Sequence, residues 1–402
     1  MERYDVLVVG SGPGGSAAAR KCRDGGLKTL LIDKQKLPRR KACSGIIANK
    51  SQNYVLENFG PIPESVYGKP FISRGMAFYF PSVGTIFTDV DCYNLYVWRS
   101  KFDHFLAQAS GADLEDETRF VGLKEKGEEI EATLERNKTL IQVAVKYLIG
   151  ADGANSHVIR SFAPEVYEGL PWASAIQKYY EGKIDADDRY LYWFLVRGMG
   201  PFPWLNLKDD QIIIGCAYPV GEKFGPKLES LIEFLKKNFG LTIKSELATE
   251  GCMANTMTPL NRFFPGRGRV LMVGDAMGLM HQGGEGISCA LASGGFAGEA
   301  VLQGIRQGAD ALSLYKKSVR PEMETSLDQF NPLRMRSTVA SDTSRQPGMF
   351  HGRGFGDKMK ALRDALVFVK SEFQIEGMTR SVLKNSARRL LLGGYHIPAA
   401  DK

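Results

Sequence analysis

Tyr4-Asp-Val-Leu-Val-Val9 runs straight into Gly10-Ser-Gly12-Pro-Gly14-Gly15, and that turn into Ser16-Ala-Ala-Ala-Arg-Lys-Cys22. The first run is short, apolar and rich in β-branched side chains, the character of a strand buried in a parallel sheet. The last is helix-forming. Strand, glycine turn and helix in this order predict the opening of a dinucleotide-binding βαβ unit. Gly10 permits the tight turn, Gly12 and its neighbour Gly14 let backbone approach a pyrophosphate, and Gly15 lets the helix lie close to the strand. The unpaired N–H groups and the positive dipole end of the helix start then face the phosphates.

Outward from this turn, Lys28-Thr-Leu-Leu-Ile32 reads as a second strand. It ends in Asp33, which lies 23 positions after Gly10, where an acid accepts hydrogen bonds from ribose hydroxyls and favours an unphosphorylated ribose. A bare GxGxxG arises readily by chance in a chain with 44 glycines. Strand, glycines, helix, strand and acid in register carry the reading instead. The unit alone suits NAD as well as FAD.

Two later segments repeat the strand-to-turn logic. Val145-Lys-Tyr-Leu-Ile149 delivers Gly150-Ala-Asp152-Gly153-Ala-Asn-Ser156 and Arg160, and Arg269-Val-Leu-Met-Val273 delivers Gly274-Asp275-Ala-Met-Gly278 and then Gly283-Gly-Glu-Gly286-Ile287, which opens a helix. Ahead of both lies Arg99-Ser-Lys-Phe102-Asp103-His-Phe-Leu106. With these segments the chain resembles the flavoprotein superfamily of aromatic hydroxylases, flavin halogenases and geranylgeranyl reductases. The resemblance implies FAD as cofactor, with Asp275 of the GD turn on the ribityl chain. Arg99, from an R-x-x-F-D-x-x-L helix start, Val121, Asp152, Gly286 and Ile287 follow as further cofactor contacts. The helix after Gly286 would aim its positive end at the flavin pyrimidine ring. Gly286, Ala290, Gly294 and Gly298 recur every four residues and form a small-residue stripe that lets this helix sit very close to a neighbour.

The resemblance narrows after Asp33. Pro38-Arg-Arg-Lys-Ala-Cys43-Ser-Gly45 resembles the cysteine and glycine loop of the geranylgeranyl reductases, which lies near the isoalloxazine ring. That implies Cys43, Ser44 and Gly45 as cofactor contacts and Cys43 as a catalytic participant. On the residues alone Cys43 is equally a small apolar residue in a turn. Phe202-Pro-Trp204-Leu-Asn-Leu-Lys208 is similar to the family's Y-x-W-x-F-P-K strand that lines the substrate cavity, so Phe202, Trp204 and Lys208 become substrate contacts. Asn206-Leu207 stands where the family has Phe-Pro, a departure that leaves the substrate open. Halogenases carry a related W-x-W-x-I-P pattern, which this chain also meets only in part.

The fold implied is α/β and α+β, with a Rossmann-like FAD-binding domain over residues 1–70, 99–165 and 262–330. An antiparallel-sheet substrate domain inserts as residues 71–98 and 166–261, and residues 331–402 form a helical C-terminal region. Aromatic runs such as Tyr190-Leu-Tyr-Trp-Phe194 read as strands of that inserted sheet, most of them core. The activity implied is FAD-dependent reduction of carbon–carbon double bonds in an isoprenoid chain of a lipid or quinone, fed by an external donor such as NAD(P)H or ferredoxin. Oxygen-dependent hydroxylation or halogenation is the rival on the same scaffold. A tyrosine of the cap or His281 competes with Cys43 as proton donor, although such a histidine is more often structural.

Composition sets the outer limits. The 402 residues are 44% hydrophobic and 24% charged, ordinary for a globular chain of two domains or one with an insertion. A net charge of +7 suits anionic cofactors, acidic partners or a membrane surface. No dense basic block interleaved with aromatics points to nucleic acid. Cys22, Cys43, Cys92, Cys216, Cys252 and Cys289 are scattered without CxxC or His/Cys spacing, so reduced thiols and no metal are expected. With no signal-like leader and no long apolar run, a cytoplasmic protein is expected. The basic positions Lys358, Lys360, Arg363 and Lys370 and the run Lys384–Leu392 make either a solvated helical face or a peripheral contact for anionic lipid head groups.

Overall fold

The computed structural model describes residues 1–81, 83–196, 199 and 203–330, with backbone alone at 90–92. Phe202 and residues 331–402, including the basic helical pattern near the C-terminus, lie outside the described residues.

The opening apolar run forms β1 (Glu2–Val9), whose last four residues are buried, and the glycine turn leads into α1 (Pro13–Asp24) and β2 (Thr29–Ile32). The chain then departs through β3 (Ile46–Ile47), α2 (Asn49–Phe59) and a long hairpin of β4 (Tyr67–Phe80) and β5 (Gly84–Val97). It returns by α3 (Arg99–Ala109) to β6 (Asp113–Glu115), β7 (Thr118–Lys126), β8 (Glu129–Arg136) and β9 (Thr139–Gly150). After α4 (His157–Phe162) it departs again through β10 (Trp172–Lys183), β11 (Tyr190–Phe194), β12 (Trp204–Lys208), β13 (Gln211–Pro219), α5 (Phe224–Phe239) and β14 (Thr242–Asn255). The described chain closes with β15 (Gly266–Arg267), β16 (Val270–Met272), α6 (Ile287–Gln307) and α7 (Ala311–Gln329).

Two sheets result. The first runs β15-β16-β9-β1-β2-β6, with the β7–β8 hairpin attached through β8 to β9. Its centre is parallel: β1 pairs with β2, Val6 opposite Thr29, and with β9, Val9 opposite Gly150. Those two registers set the glycine turn after β1 beside the Gly150 turn after β9, at the carboxyl ends of the strands where such sheets bind ligands. The second sheet runs β14-β10-β13-β12-β11-β4-β5-β3, antiparallel except where β4 meets β11. Residues 46–47 and 67–70, expected with the cofactor segments, pair here instead: Ile46 lies opposite Tyr96, and Tyr67 opposite Val97. Pairing partners some fifty and thirty residues downstream leave no local mark in sequence.

The two cores are chemically distinct. Under the first sheet Val6, Leu7, Val8, Leu148 and Ile149 pack with residues of α1, α6 and α7. In the second, Tyr192, Phe194 and Leu205 pack against Leu228, Leu231 and Leu235 of α5, and Tyr79, Phe234 and Phe239 make edge contacts beside them. Most aromatics of the inserted sheet are therefore core.

Candidate active site

The glycine turn is shaped by close approach. Gly10 sits at φ +105°, and a Cβ there would lie 2.5 Å from the Ala151 carbonyl oxygen, while one at Gly15 would collide with the Gly10 carbonyl. Gly12 is different: it caps α1 with no side-chain hydrogen bond, Pro13 follows, and a Cβ would meet nothing nearer than the Arg39 guanidinium at 3.6 Å. The first-turn donors of α1 thus have no side-chain cap and open space beside Gly12, the arrangement that takes a phosphate. At Gly14 the missing Cβ would meet the Ala290 carbonyl at 3.1 Å, so this glycine serves the packing of α6 on α1.

Asp33 is buried and fully engaged. Its carboxylate accepts from the Ser11 hydroxyl at 2.7 Å, the Arg39 Nε at 2.9 Å and the Gln35 amide at 3.0 Å. Burial alone would raise its pKa, but the Arg39 charge and the Ser11 hydroxyl hold it below the usual carboxylate value. Arg39 also reaches Asp103 at 3.3 Å, and Asp103 takes a bidentate pair from Arg99 at 2.8 and 2.9 Å. Asp33, Arg39, Asp103 and Arg99 form one buried charge chain from the glycine turn to the start of α3. Arg99, which composition alone suggests as a surface ion-pair residue, is an interior one.

Two further turns follow β9 and β16. Asp152 caps α4, accepting from the His157 amide at 2.7 Å and the Val158 amide at 3.2 Å, while its Oδ1 is buried without a partner. Burial raises its pKa. In the GD turn the Gly274 amide donates to the Ser293 hydroxyl, and Asn255 at the end of β14 donates to the carbonyls of Asp275 and Ala154, tying both turns together. Burial also raises the Asp275 pKa, with Lys41 and Arg99 acting against it. A Cβ at Gly286 would lie 2.9 Å from the Asp275 carboxylate, so the glycine lets that carboxylate sit at the start of α6. Ile287 packs in a cluster with Ala17, Ile47 and Phe102, against which Cys43 also rests.

The Cys43 loop is clamped from the second sheet. Gly45, at φ +71°, lies so close to β5 that a Cβ would strike the Val97 carbonyl. Lys208 Nζ donates to the Ser44 and Val97 carbonyls, each at 2.9 Å, and lies 4.2 Å from the Trp98 ring. Asn206 donates to the Ser44 carbonyl and Gln177 to the Cys43 carbonyl. The amide of Gly45 in turn donates to the Cys43 sulfur at 3.4 Å. In front of the loop opens a cavity of about 470 Å³ lined by Cys43, Trp98, Arg99, Tyr179, Lys208 and Glu250 among others.

The structure thus gathers Cys43, Arg99 and Lys208 at one cavity, near Asp275 and the glycine turn. Trp204 is set back: its indole fills the space left by Gly215. Val121 stands apart, 45% exposed at a register shift in β7, where the strand bulge turns it outward. His281 faces α7, its Nδ1 2.9 Å from the Ser326 hydroxyl, and burial lowers its pKa, so it is tied into helix packing rather than the cavity. Arg39, Asp103, Gln177 and Glu250 had no place among the expected site residues, and Tyr179 entered only as an unspecified tyrosine of the cap. Asp103 and Arg39 stand inside the quoted motifs and were open to detection. The three from β10 and β14 meet only through strand pairing, Gln177 opposite Glu250.

Among the described residues no helix is long and apolar enough to cross a membrane. Residues 3–175 match the FAD binding domain family. The chain is 26% identical over 314 residues to the digeranylgeranylglycerophospholipid reductase of Methanocaldococcus jannaschii, covering 75% of this chain and 78% of that one. Among solved structures, a geranylgeranyl bacteriochlorophyll reductase-like protein of Thermoplasma acidophilum superposes with TM-score 0.74 at 22% identity, covering 94% of this chain and all of the other. A myxobacterial chondrochloren halogenase, of the FAD-dependent kind, superposes with TM-score 0.67 at 15% identity and 97% coverage of both chains. At such identities the two structures speak to fold alone. With a flavin-binding match over the segments that carry the glycine turn and the charge chain, and a reductase among its relatives, the chain is an FAD-dependent oxidoreductase similar to the geranylgeranyl reductases.

Proposed function

We propose that this enzyme reduces carbon–carbon double bonds of an isoprenoid chain. The observation that carries the reading is the cavity between the Cys43 loop and the second sheet, where apolar and aromatic surface from Trp98, Tyr179, Leu247 and Ala248 faces a cysteine and a set of cations, Arg99 and Lys208 among them. A relative that bears the name of a geranylgeranyl lipid reductase supports the same assignment.

In this reading the uncapped start of α1 holds the FAD pyrophosphate, and Asp275 with Gly286 and Ile287 holds the ribityl and flavin end. Reduced FAD supplies a hydride for one carbon of the double bond. The first sheet and its helices carry the cofactor, and the second sheet with α5 carries the substrate. Trp98 and Tyr179 lay an apolar chain along the cavity and exclude water, and Arg40, Lys41 and Lys101 at its wall attract an anionic head group such as a phospholipid. An external donor such as NAD(P)H or ferredoxin supplies electrons, and contact with a membrane surface brings the lipid.

The test is anaerobic photoreduction of the flavin followed by separate exposure to a geranylgeranyl lipid and to O₂. Rapid reoxidation by the lipid with a sluggish reaction toward O₂ is expected. No lipid reaction with rapid oxygen consumption moves the enzyme to the hydroxylases or halogenases.

A further inference from the structure

We propose that Tyr179 is the acid that protonates the second carbon of the double bond, and that Glu250 returns the proton to it from solvent. The proposal rests on the reductase reading above.

Tyr179 and Gln177 are two residues apart on β10 and therefore share the face of the sheet that meets the Cys43 loop. The Tyr179 side chain is buried, with its ring centroid 6.2 Å from that of Trp98, and it lines the cavity beside Cys43 and Lys208. Its hydroxyl donates to Glu250 Oε2 at 2.8 Å and accepts from Gln177 Nε2. Because Gln177 also donates to the Cys43 carbonyl, a pure acceptor, its amide orientation is set, and the phenol oxygen is the receiving partner. The phenol proton is left pointing at Glu250 or, with substrate present, into the cavity. The second oxygen of Glu250 lies 3.8 Å from Arg40, whose side chain is 70% exposed. A route therefore runs from solvent at Arg40, through Glu250, to the phenol.

The step balances. The π bond breaks; one C–H bond forms with the hydride and both electrons supplied by the reduced cofactor, and the other forms with the phenolic proton. The phenolate, held by the Gln177 donor, is reprotonated through Glu250, whose carboxylate first takes a proton from water on the Arg40 side and then passes it to the phenolate oxygen, ending as the carboxylate again. Burial, and then the neighbouring Glu250 carboxylate, raise the phenol pKa, so the proton stays in place through the neutral range. The titratable groups around it are Glu250 from β14, Lys208 from β12, and Cys43 and Arg40 from the loop.

Tyr179→Phe and Glu250→Gln holoenzymes test this, each checked first for flavin content and then compared with wild type at saturating lipid, so that any change in lipid affinity is separated from the chemical step. In anaerobic single turnover, Tyr179→Phe should be reoxidised by geranylgeranyl lipid on the order of 100-fold more slowly. Glu250→Gln should leave the first turnover near wild type and slow those that follow. Apart from activity, NMR of ring-labelled tyrosine should show one resonance, missing in Tyr179→Phe, whose titration midpoint falls in Glu250→Gln. A Tyr179→Phe enzyme within about threefold of wild type, a Glu250→Gln enzyme slowed equally in every turnover, or a resonance indifferent to Glu250 overturns the proposal. A wild-type enzyme that the lipid cannot reoxidise overturns the reductase reading and the proposal with it.

Discussion

Lys208 is an ammonium held between two backbone carbonyls, 2% exposed and, among the described residues, with no carboxylate hydrogen-bonded to it. Burial pushes its pKa from 10.5 down to about 8, with Cys43, Asp209 and Glu250 pulling weakly the other way. The folded protein therefore releases this proton before the unfolded chain does. Above about pH 10.5 both states are neutral at this position; as pH falls toward 8 the unfolded chain charges first, and the folded state loses stability relative to it. That loss amounts to roughly 3 kcal/mol and is complete below pH 8. Denaturant unfolding of Lys208→Met beside wild type should show the stability difference moving toward the variant by about that amount between pH 10.5 and 8, and flat below. A difference independent of pH means the ammonium titrates as in water. The same residue marks the limit of sequence reading: its place in a family-like strand pattern was legible, but its duty as a clamp on the Ser44 carbonyl arises from a contact across 164 positions.

At the scale of elements, α1 and α6 approach until backbone meets backbone. The four-residue spacing of Gly286, Ala290, Gly294 and Gly298 is visible in sequence, and the partner is now identified: a Cβ at Gly294 would strike the Gly14 carbonyl, and one at Gly298 would lie 2.7 Å from the Ala18 carbonyl. Gly294→Val should separate the helices, cost about 1–3 kcal/mol or more, and weaken flavin retention, because Gly14 lies in the first turn of α1, whose N–H groups face the cofactor site. Gly225→Ala in α5 is the contrast. A Cβ there meets nothing within 4 Å, so it should be neutral or stabilise by up to about 1 kcal/mol. Thermal melts and flavin release read both variants, and equal effects from the two would remove close helix approach as the explanation.

For the whole molecule, the three chain segments around the glycine, Gly150 and GD turns meet only when the first sheet is complete, so cofactor and fold support each other. Removing FAD should lower stability by about 2.7 kcal/mol relative to protein with free flavin at a hundredfold over Kd. Gly12→Ala sharpens the point, since a Cβ there has room in the protein but stands where backbone must meet phosphate. Its flavin-free melting temperature should match that of flavin-free wild type while added FAD no longer raises it. A variant that melts early without flavin would place Gly12 in the fold rather than at the cofactor.

Sequence by itself determined that a dinucleotide is bound and fixed the centre of the first sheet, because strand, glycine turn, helix and acid are local patterns that the backbone must obey within some thirty residues. Tertiary structure alone decided that Arg39 and Asp103 link Asp33 to Arg99, that residues 46–47 and 67–70 join the second sheet, and that Tyr179 meets Glu250. Those outcomes depend on pairing registers and buried charge partners between distant segments, and such choices are made by packing rather than by any neighbouring residue.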